Sequence, residues 1–543
     1  MSQENEQLLH LQAGPELIFG LIAPIGVDLD LIIEVLEQTL REMDYRVLLV
    51  RLTQLMREVP VGLSLENTPY IKSFQDRIRY ANEVRRQLGN EALGVLAVSA
   101  IRAFRAEEGK RERTAALDSV TGASVGERSA TGLDEELPLA NQAYIVRQLK
   151  RQEEVEILRG VYGRQFVLIG GYAPQQWRTR RIEERERQSL GGLISNIEAS
   201  KAALELVMQD SKEKLEEHGQ NVGDAFPLAD VFVDATSRQV CEPMIRRFIN
   251  LLFGSNEVTP MHDEYGMYLA KSVSLRSSDL SRQVGAAIFR QTGEVVTLGC
   301  NEVPKAGGGT YWSGDSRDAR DFVEGHDPNE LRKIELLVDL LDRLKQGGHL
   351  SPNLAHIKNS NEIGKLLLAE NNQNSVKDSR MMDIIEFGRI IHAEMSAICD
   401  ASRKGISIDR GILYCTTFPC HICAKHIVAS GIKEVVYLEP YPKSYASELH
   451  GDSISVDPTE RTERVVFRAF IGVSPYRYRD LFEKGKRKYS GGSVQKWNKG
   501  SRRPMIEVYF PSYFQAEAHV VSQVRSKLEK LITEHSDQKA PAS

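Results

Sequence analysis

The chain of 543 residues carries 70 Lys and Arg against 75 Asp and Glu, a net charge of −5, with 41% hydrophobic and 27% charged residues. That is a soluble, multidomain composition, and it excludes a general nucleic-acid coat protein. No apolar run approaches the roughly 18 residues of a membrane helix, and "MSQENEQLLHLQAG" has no secretory-signal regions, so a cytoplasmic protein is expected.

In chain order, strands alternate with helices. "PELIFGLIAP" reads as a strand, "DLDLIIEVLEQTLREM" as an amphipathic helix, "YRVLLVRLT" as a strand and "SFQDRIRYANEVRRQLG" as a helix. This alternation over 15–105 predicts a parallel sheet. Residues 106–137 are charged and rich in Gly and Ser, and read as an exposed insertion. "AYIVRQLKRQEEVEILRGVYG" has helical character, "RQFVLIGGYA" reads as a strand, "WRTRRIEERERQS" as a charged helix, and "LADVFVDATS" as a strand ending in Asp234. These elements compose a first domain over 1–238.

A second α/β domain spans 239–543. It opens with helix "HDEYGMYLAKSVSLRS" and strands "QVGAAIFR" and "GEVVTLGCNE", and then carries a long insertion over 302–388. A helix over 389–404, a strand over 411–416, a short helix from Cys420 and strand "KEVVYLEPY" follow. The basic C-terminal extension holds Lys484 to Arg503, with Tyr489 and Trp497 and no acidic residue, so it is either a phosphate or single-stranded RNA surface or an ordinary basic face. The chain closes on helical "AEAHVVSQVRSKLEKLITEH".

The six cysteines are too sparse for a disulfide framework, and two of them form Cys420-His421-Ile422-Cys423 behind Pro419. His392-Ala393-Glu394 lies near a helix start upstream. Three nitrogen and sulfur donors with a fourth position open describe a catalytic zinc site, because structural zinc fills all four. Cys415 and Cys399 are expected in the core, and His421 and His426 outside the ligand set.

The pattern His392-x-Glu394 with Pro419-Cys420-x-x-Cys423 is similar to the signature of the zinc nucleobase deaminases. "LAKSVSLRSSDLSRQVGAAI", "LGCNEVPKAGGG" and "YCTTFPCHICAKHIVASGIKEVVYLEPY" resemble the deoxycytidylate deaminase family over most of 262–450. The resemblance implies a cytidine-deaminase-like α-β-α domain that hydrolyses dCTP, dCMP or both to deoxyuridine nucleotides. It implies zinc on His392, Cys420 and Cys423, and Glu394 as the catalytic proton carrier. It places Arg276 near the substrate phosphate, Asn301 on the sugar, and Ala393, Tyr437 and Tyr441 beside the substrate. A salt-bridged surface Arg, a turn Asn and a core Tyr are the plain alternatives. Gly299-Cys300-Asn301-Glu302 departs from the family's Gly-Tyr-Asn-Gly, the motif tied to allosteric control by dCTP and dTTP.

In the first domain, "FGLIAPIGVDLDLI" has the strand–turn–helix context of a phosphate loop, with Gly20, Gly26 and Asp28 as degenerate nucleotide-binding positions. Leu29 stands where the phosphate-reaching Lys belongs and Asp30 where the Ser or Thr for magnesium belongs, so phosphoryl transfer is expected to be lost. Arg178, Arg180 and Arg181 suggest either a nucleotide-kinase lid or a solvated helix. A P-loop-kinase-like three-layer domain joined to such a deaminase resembles the bacterial antiphage deoxycytidylate deaminases. That resemblance implies depletion of dCTP during infection, an inhibitory small RNA as partner, and a hexamer. The competing readings are a polynucleotide cytidine deaminase and a non-catalytic nucleotide or RNA sensor.

Overall fold

The computed structural model describes residues 14–66, 68–121, 138–192, 194–212, 219–369, 376–441, 444–456, 463–484, 487–488, 493–494, 497, 504 and 512–539. Two compact units emerge: Met1–Glu264 with Ile471–Ser543, and Tyr265–Phe470. Among the described residues no helix is long and apolar enough to cross a membrane.

The first unit is built on β1 (Leu17–Ile22), β2 (Arg46–Arg51), β3 (Gln142–Leu149), β4 (Phe166–Tyr172) and β5 (Val231–Asp234). These run parallel in the order β2-β3-β1-β4-β5. Every residue of β1 is buried, as expected for a central parallel strand covered on both faces. Around the sheet lie α1 (Leu29–Glu42), α2 (Ala92–Thr121), α3 (Gln175–Ser189), α4 (Asn196–Lys212) and α5 (Arg238–Leu252). α1 buries Ile32, Ile33, Val35, Leu36 and Leu40 in the same core as Phe19 and Leu21 of β1.

Three sequence expectations differ from this unit. The segment from Ala143 is a strand through Leu149, and its helix begins only at Gln152. Ala143–Val146 are fully buried between β1 and β2, so sheet packing overrides the helical pattern of the charged residues that follow. Residues 106–121 continue α2 rather than forming a loop, and 122–137 lie outside the described residues. Residues 239–264 and the C-terminal segment from Ile471, both read as part of the second domain, belong to the first unit. There Gly472–Val473 pairs antiparallel with β5, and Trp497 packs against the first unit's core. Tyr489 and most of the basic run from Lys484 to Arg503 lie outside the described residues.

The C-terminal helix Ser512–Lys539 is tied in by a buried charge network. Arg105 of α2 donates to both oxygens of Glu517, at 2.7 and 2.9 Å, and to Glu16 at 3.0 Å. Tyr144 and Tyr513 donate to Glu16 at 2.9 and 2.8 Å. These residues are distant in sequence, and Glu16, Arg105 and Glu517 are almost fully buried.

The second unit carries β6 (Gly285–Phe289), β7 (Val295–Cys300), β8 (Ile412–Thr417), β9 (Glu434–Glu439), β10 (Ile454–Ser455) and β11 (Val465–Ala469) in the order β7-β6-β8-β9-β11-β10. β6 is antiparallel to β7 and β8, and the remaining pairs are parallel. The segment 302–388 is substantially helical and includes α6 (Pro328–Gln346) and α7 (Ser360–Leu368). Leu337, Leu341 and Ile363 give it a small core of its own. Its two ends meet where Glu302 and Ile391 exchange backbone hydrogen bonds of 3.3 and 3.2 Å. That bridge holds the extended residues leading into α8 (Ala393–Lys404), ahead of α9 (His421–Ala429).

Arg105→Leu leaves two buried carboxylates without their cation. It is expected to lower unfolding free energy by roughly 3–5 kcal/mol, read as a fall in the urea midpoint at unchanged slope.

Candidate metal centre

Two helix starts meet here. His392 is the N-cap of α8, in extended conformation at φ −66 and ψ 153. The helix sequence places Glu394 in its first turn, where it is 3% exposed. Cys420 is the N-cap of α9, and its sulfur accepts from the Cys423 backbone N–H at 3.5 Å. Each helix start directs N–H groups and a positive dipole end toward its cap residue, which favours thiolates there.

α8 reaches this position because β7 lets it come close. A Cβ at Gly299 would lie 2.2 Å from the Ala393 carbonyl oxygen. A Cβ at Gly285 would lie 1.9 Å from the carbonyl of Ala270, so a second helix packs as tightly on β6. Ala393 itself is fully buried.

The ligand atoms of His392, Cys420 and Cys423 lie within 4.8 Å of one another, and this is the metal-capable group of three among the described residues. His392 Nδ1 stands 3.3 Å from Cys420 Sγ and 3.4 Å from Cys423 Sγ. Zinc–sulfur bonds of about 2.3 Å and zinc–nitrogen bonds of about 2.0 Å, at tetrahedral angles, put such atoms about 3.5 Å apart. The donor set therefore fits zinc with one position open.

Without metal, the triad holds its own protons. The hydrogen bond with Cys420, and that thiolate's charge, raise His392 to about 9. Cys420 falls to about 4 under the hydrogen bond from Cys423 and the neighbouring imidazolium. Cys423 is pushed up as the donor of that bond and by burial. Burial pushes the Glu394 carboxyl above the ordinary carboxylate range, against the pull of His392.

The remaining candidates are placed as follows. Arg276 is engaged by the loop after β7: it donates to Thr310 Oγ1 at 2.6 Å and to the Tyr311 carbonyl at 3.0 Å, and stacks 3.6 Å from the Trp312 ring centre. Asn301 is buried and pins the start of β6, accepting from Val284 N–H at 2.7 Å and donating to the Arg282 carbonyl at 2.8 Å. Tyr437 is half-buried, edge-to-face with Phe418 at 4.9 Å. Tyr441 is half-buried, with the exposed Arg282 guanidinium 5.8 Å from its ring centre. Cys415 is buried with Glu394 as a neighbour, whereas Cys399 is exposed, because α8 turns that face to solvent. His421 faces Glu386 at 3.4 Å and His426 is exposed.

Sequence reading did not single out Arg282, and met Glu302 only as a departure from the family's motif. Glu302 is 1% exposed and accepts from both the N–H and the hydroxyl of Ser278, at 3.0 and 2.7 Å. No spacing rule marks either residue, because their partners are distant in sequence.

In the first unit, Gly20 lies inside β1, where an added Cβ would strike the Phe166 ring at 2.8 Å. Gly26 makes the turn after β1 at φ +90, and Asp28 is the N-cap of α1. Arg178 and Arg181 bind back to this turn, while Arg180 is exposed.

Residues 260–439 match a sequence model described as the cytidine and deoxycytidylate deaminase zinc-binding region, a span that contains the triad and Glu394. The chain is 41% identical over 80 residues to ComE operon protein 2 of Bacillus subtilis (strain 168), covering 14% of this chain and 42% of that protein. It is 52% identical over 54 residues to the deoxycytidylate deaminase of Enterobacteria phage T2, covering 10% and 29%. It is 34% identical over 110 residues to a probable deoxycytidylate deaminase of Drosophila melanogaster, covering 18% and 53%. The chain thus spans about half, or less, of the length of these curated relatives.

At neutral pH the metal-free site holds a proton on His392 and one on Cys423, and both must leave when zinc binds. Calorimetry in buffers of differing ionisation enthalpy is expected to show about two protons released per zinc. Zinc affinity should rise about hundredfold per pH unit between the thresholds of about 4 for Cys420 and about 9 for His392. Affinity independent of pH would contradict this protonation pattern.

Proposed function

We propose that the second unit hydrolyses the 4-amino group of a free deoxycytidine nucleotide, dCTP or dCMP, releasing ammonia and the deoxyuridine nucleotide. The observation that carries this reading is the buried Glu394 carboxyl beside the open face of the His392, Cys420 and Cys423 triad. Zinc, when bound, supplies the Lewis acidity that makes water nucleophilic at neutral pH. Glu394 takes a proton as water adds to C4, passes it to N3, and then delivers a proton to the leaving amine. Its upward shift suits a group that must hold that proton between the two transfers. Water enters, the C4–N bond breaks, and C4 keeps the oxygen.

A free-nucleotide substrate is supported by relatives named as deoxycytidylate deaminases. On this reading Arg276 braces the loop at 310–312, and the exposed Arg282 beside Tyr441 and Thr417 meets the substrate phosphate. Asn301 shapes the site through its two backbone bonds, and Ala393 and Tyr437 form its packed wall.

The first unit's strand–turn–helix at the end of a central parallel strand supports a P-loop-kinase-like domain, with Leu29 and Asp30 in place of its catalytic residues. Antiphage dCTP depletion, restraint by a small RNA, cytoplasmic location and hexameric assembly complete the proposal, and rest on sequence resemblance.

Purified protein incubated with dCTP, dCMP, CTP, deoxycytidine and single-stranded DNA, with and without a zinc chelator, tests it by chromatography of uracil products. Glu394→Gln is expected to keep its zinc and lose about 10²–10⁴-fold in turnover. Turnover of DNA but of no free nucleotide would move the substrate to the polynucleotide class. A zinc-loaded protein inert toward all five would sink the enzymatic reading.

A further inference from the structure

The turn between β1 and α1 is already filled. Ile25 donates its backbone N–H to Asp210 Oδ2 at 2.8 Å, a carboxylate delivered by α4 from 185 residues away in sequence. Lys150, just after β3, donates to Asp210 Oδ1 at 3.2 Å and to the Ala23 carbonyl at 3.1 Å. Asp210 and Lys150 are 5% and 8% exposed. A backbone N–H and a buried ammonium converging on one acidic group is how a loop of this kind holds a phosphate oxygen.

The surroundings carry more positive charge than the carboxylate answers. Arg178 donates to the Ile25 carbonyl at 3.1 Å, while its Nε is buried without a hydrogen-bond partner. An added Cβ at Gly26 would lie 2.9 Å from Arg178, so the turn and α3 touch directly. Arg181 pairs with Asp28 at 2.5 Å, Arg147 pairs with Asp30, and Arg185 feels both aspartates. Lys150, Arg147, Arg178, Arg181 and Arg185, with Arg51 also acting on Asp30, thus outnumber Asp28, Asp30 and Asp210. Replacing one carboxylate by a polyphosphate reduces that surplus and offers acceptors to the unpartnered Arg178 Nε.

We propose that this turn is a polyphosphate-binding site closed by the chain's own Asp210, so that α4 is an internal plug which a di- or triphosphate group displaces. The proposal concerns the first unit and stands apart from the deaminase reading. Leu29 and Asp30, standing where a working phosphate loop has its Lys and its Ser or Thr, remove catalysis from the turn. They leave its anion-binding amide and the Lys150 ammonium in place. The site then reads a phosphate chain and reports it through the position of α4.

The test uses the full chain and inorganic pyrophosphate at constant ionic strength. By calorimetry Asp210→Asn is expected to bind pyrophosphate at least tenfold more tightly than the unaltered protein, because the competing carboxylate charge is gone. Asp210→Asn with Lys150→Gln should return to weak binding. Equal binding by the unaltered protein and Asp210→Asn, including none by either, overturns the plug. Hydrogen exchange on the unaltered protein covers the case in which Asp210→Asn does not fold. Pyrophosphate should speed exchange across 196–212, and unchanged exchange there up to the solubility limit of pyrophosphate overturns the proposal.

Discussion

The metal centre depends on bringing three donors and one carboxyl to a point where none is stable alone. His392 and Cys420 are both N-caps, so their side chains project from extended backbone while the helices behind them direct N–H groups and dipole at the same place. A thiolate is tolerated there because it is surrounded by donors. Burial raises the Glu394 carboxyl, against the pull of His392 and the hydrogen bond from Cys423. The bridge between Glu302 and Ile391 and the missing side chain at Gly299 set how close α8 approaches β7, and with it the position of both His392 and Glu394.

The inserted helices of 302–388 leave and re-enter the chain at that bridge. A long insertion at this point need not disturb the ligands, because its ends are already neighbours and loop closure costs little more as length grows. The insertion also has its own small core, with Lys333 bound to the Met382 carbonyl at 2.9 Å and Asn329 to the Ile384 carbonyl at 2.9 Å. Its last residues therefore arrive at Ile391 in an ordered direction.

The metal centre and the turn after β1 show contrasting electrostatics. At the metal centre, three donors share protons on His392 and Cys423 that a cation would displace. At the turn after β1, a basic cluster is closed by carboxylates from its own chain, with Asp28 also capping α1. Arg178 and Arg181 lie on a helix whose composition suggests full solvation, yet both turn inward to that loop. Buried Arg105 is closed in the same way by its own chain: it donates to Glu16 and Glu517, Tyr144 and Tyr513 donate to Glu16, and the network fastens the C-terminal helix.

By itself the sequence determined what local geometry controls. His-x-Glu at a helix start and Cys-x-x-Cys behind a proline place their atoms within one or two turns, so the metal donors were legible from spacing. Most of the alternating strands and helices were legible from periodicity; the strands at 142–149, 454–455 and 465–469 were not. Long-range partners were left to the tertiary structure. Ala143–Val146 became strand because two neighbours bury it. Residues 471–543 joined the first unit through β5 and Arg105. Arg276 and Asn301 were drawn into bracing backbone, and Asp210 was carried 185 residues back to the turn at Ile25. The physical reason is one of range: spacing reports the residues a helix or strand holds side by side, while hydrogen bonds and charges are satisfied by whatever the fold brings near.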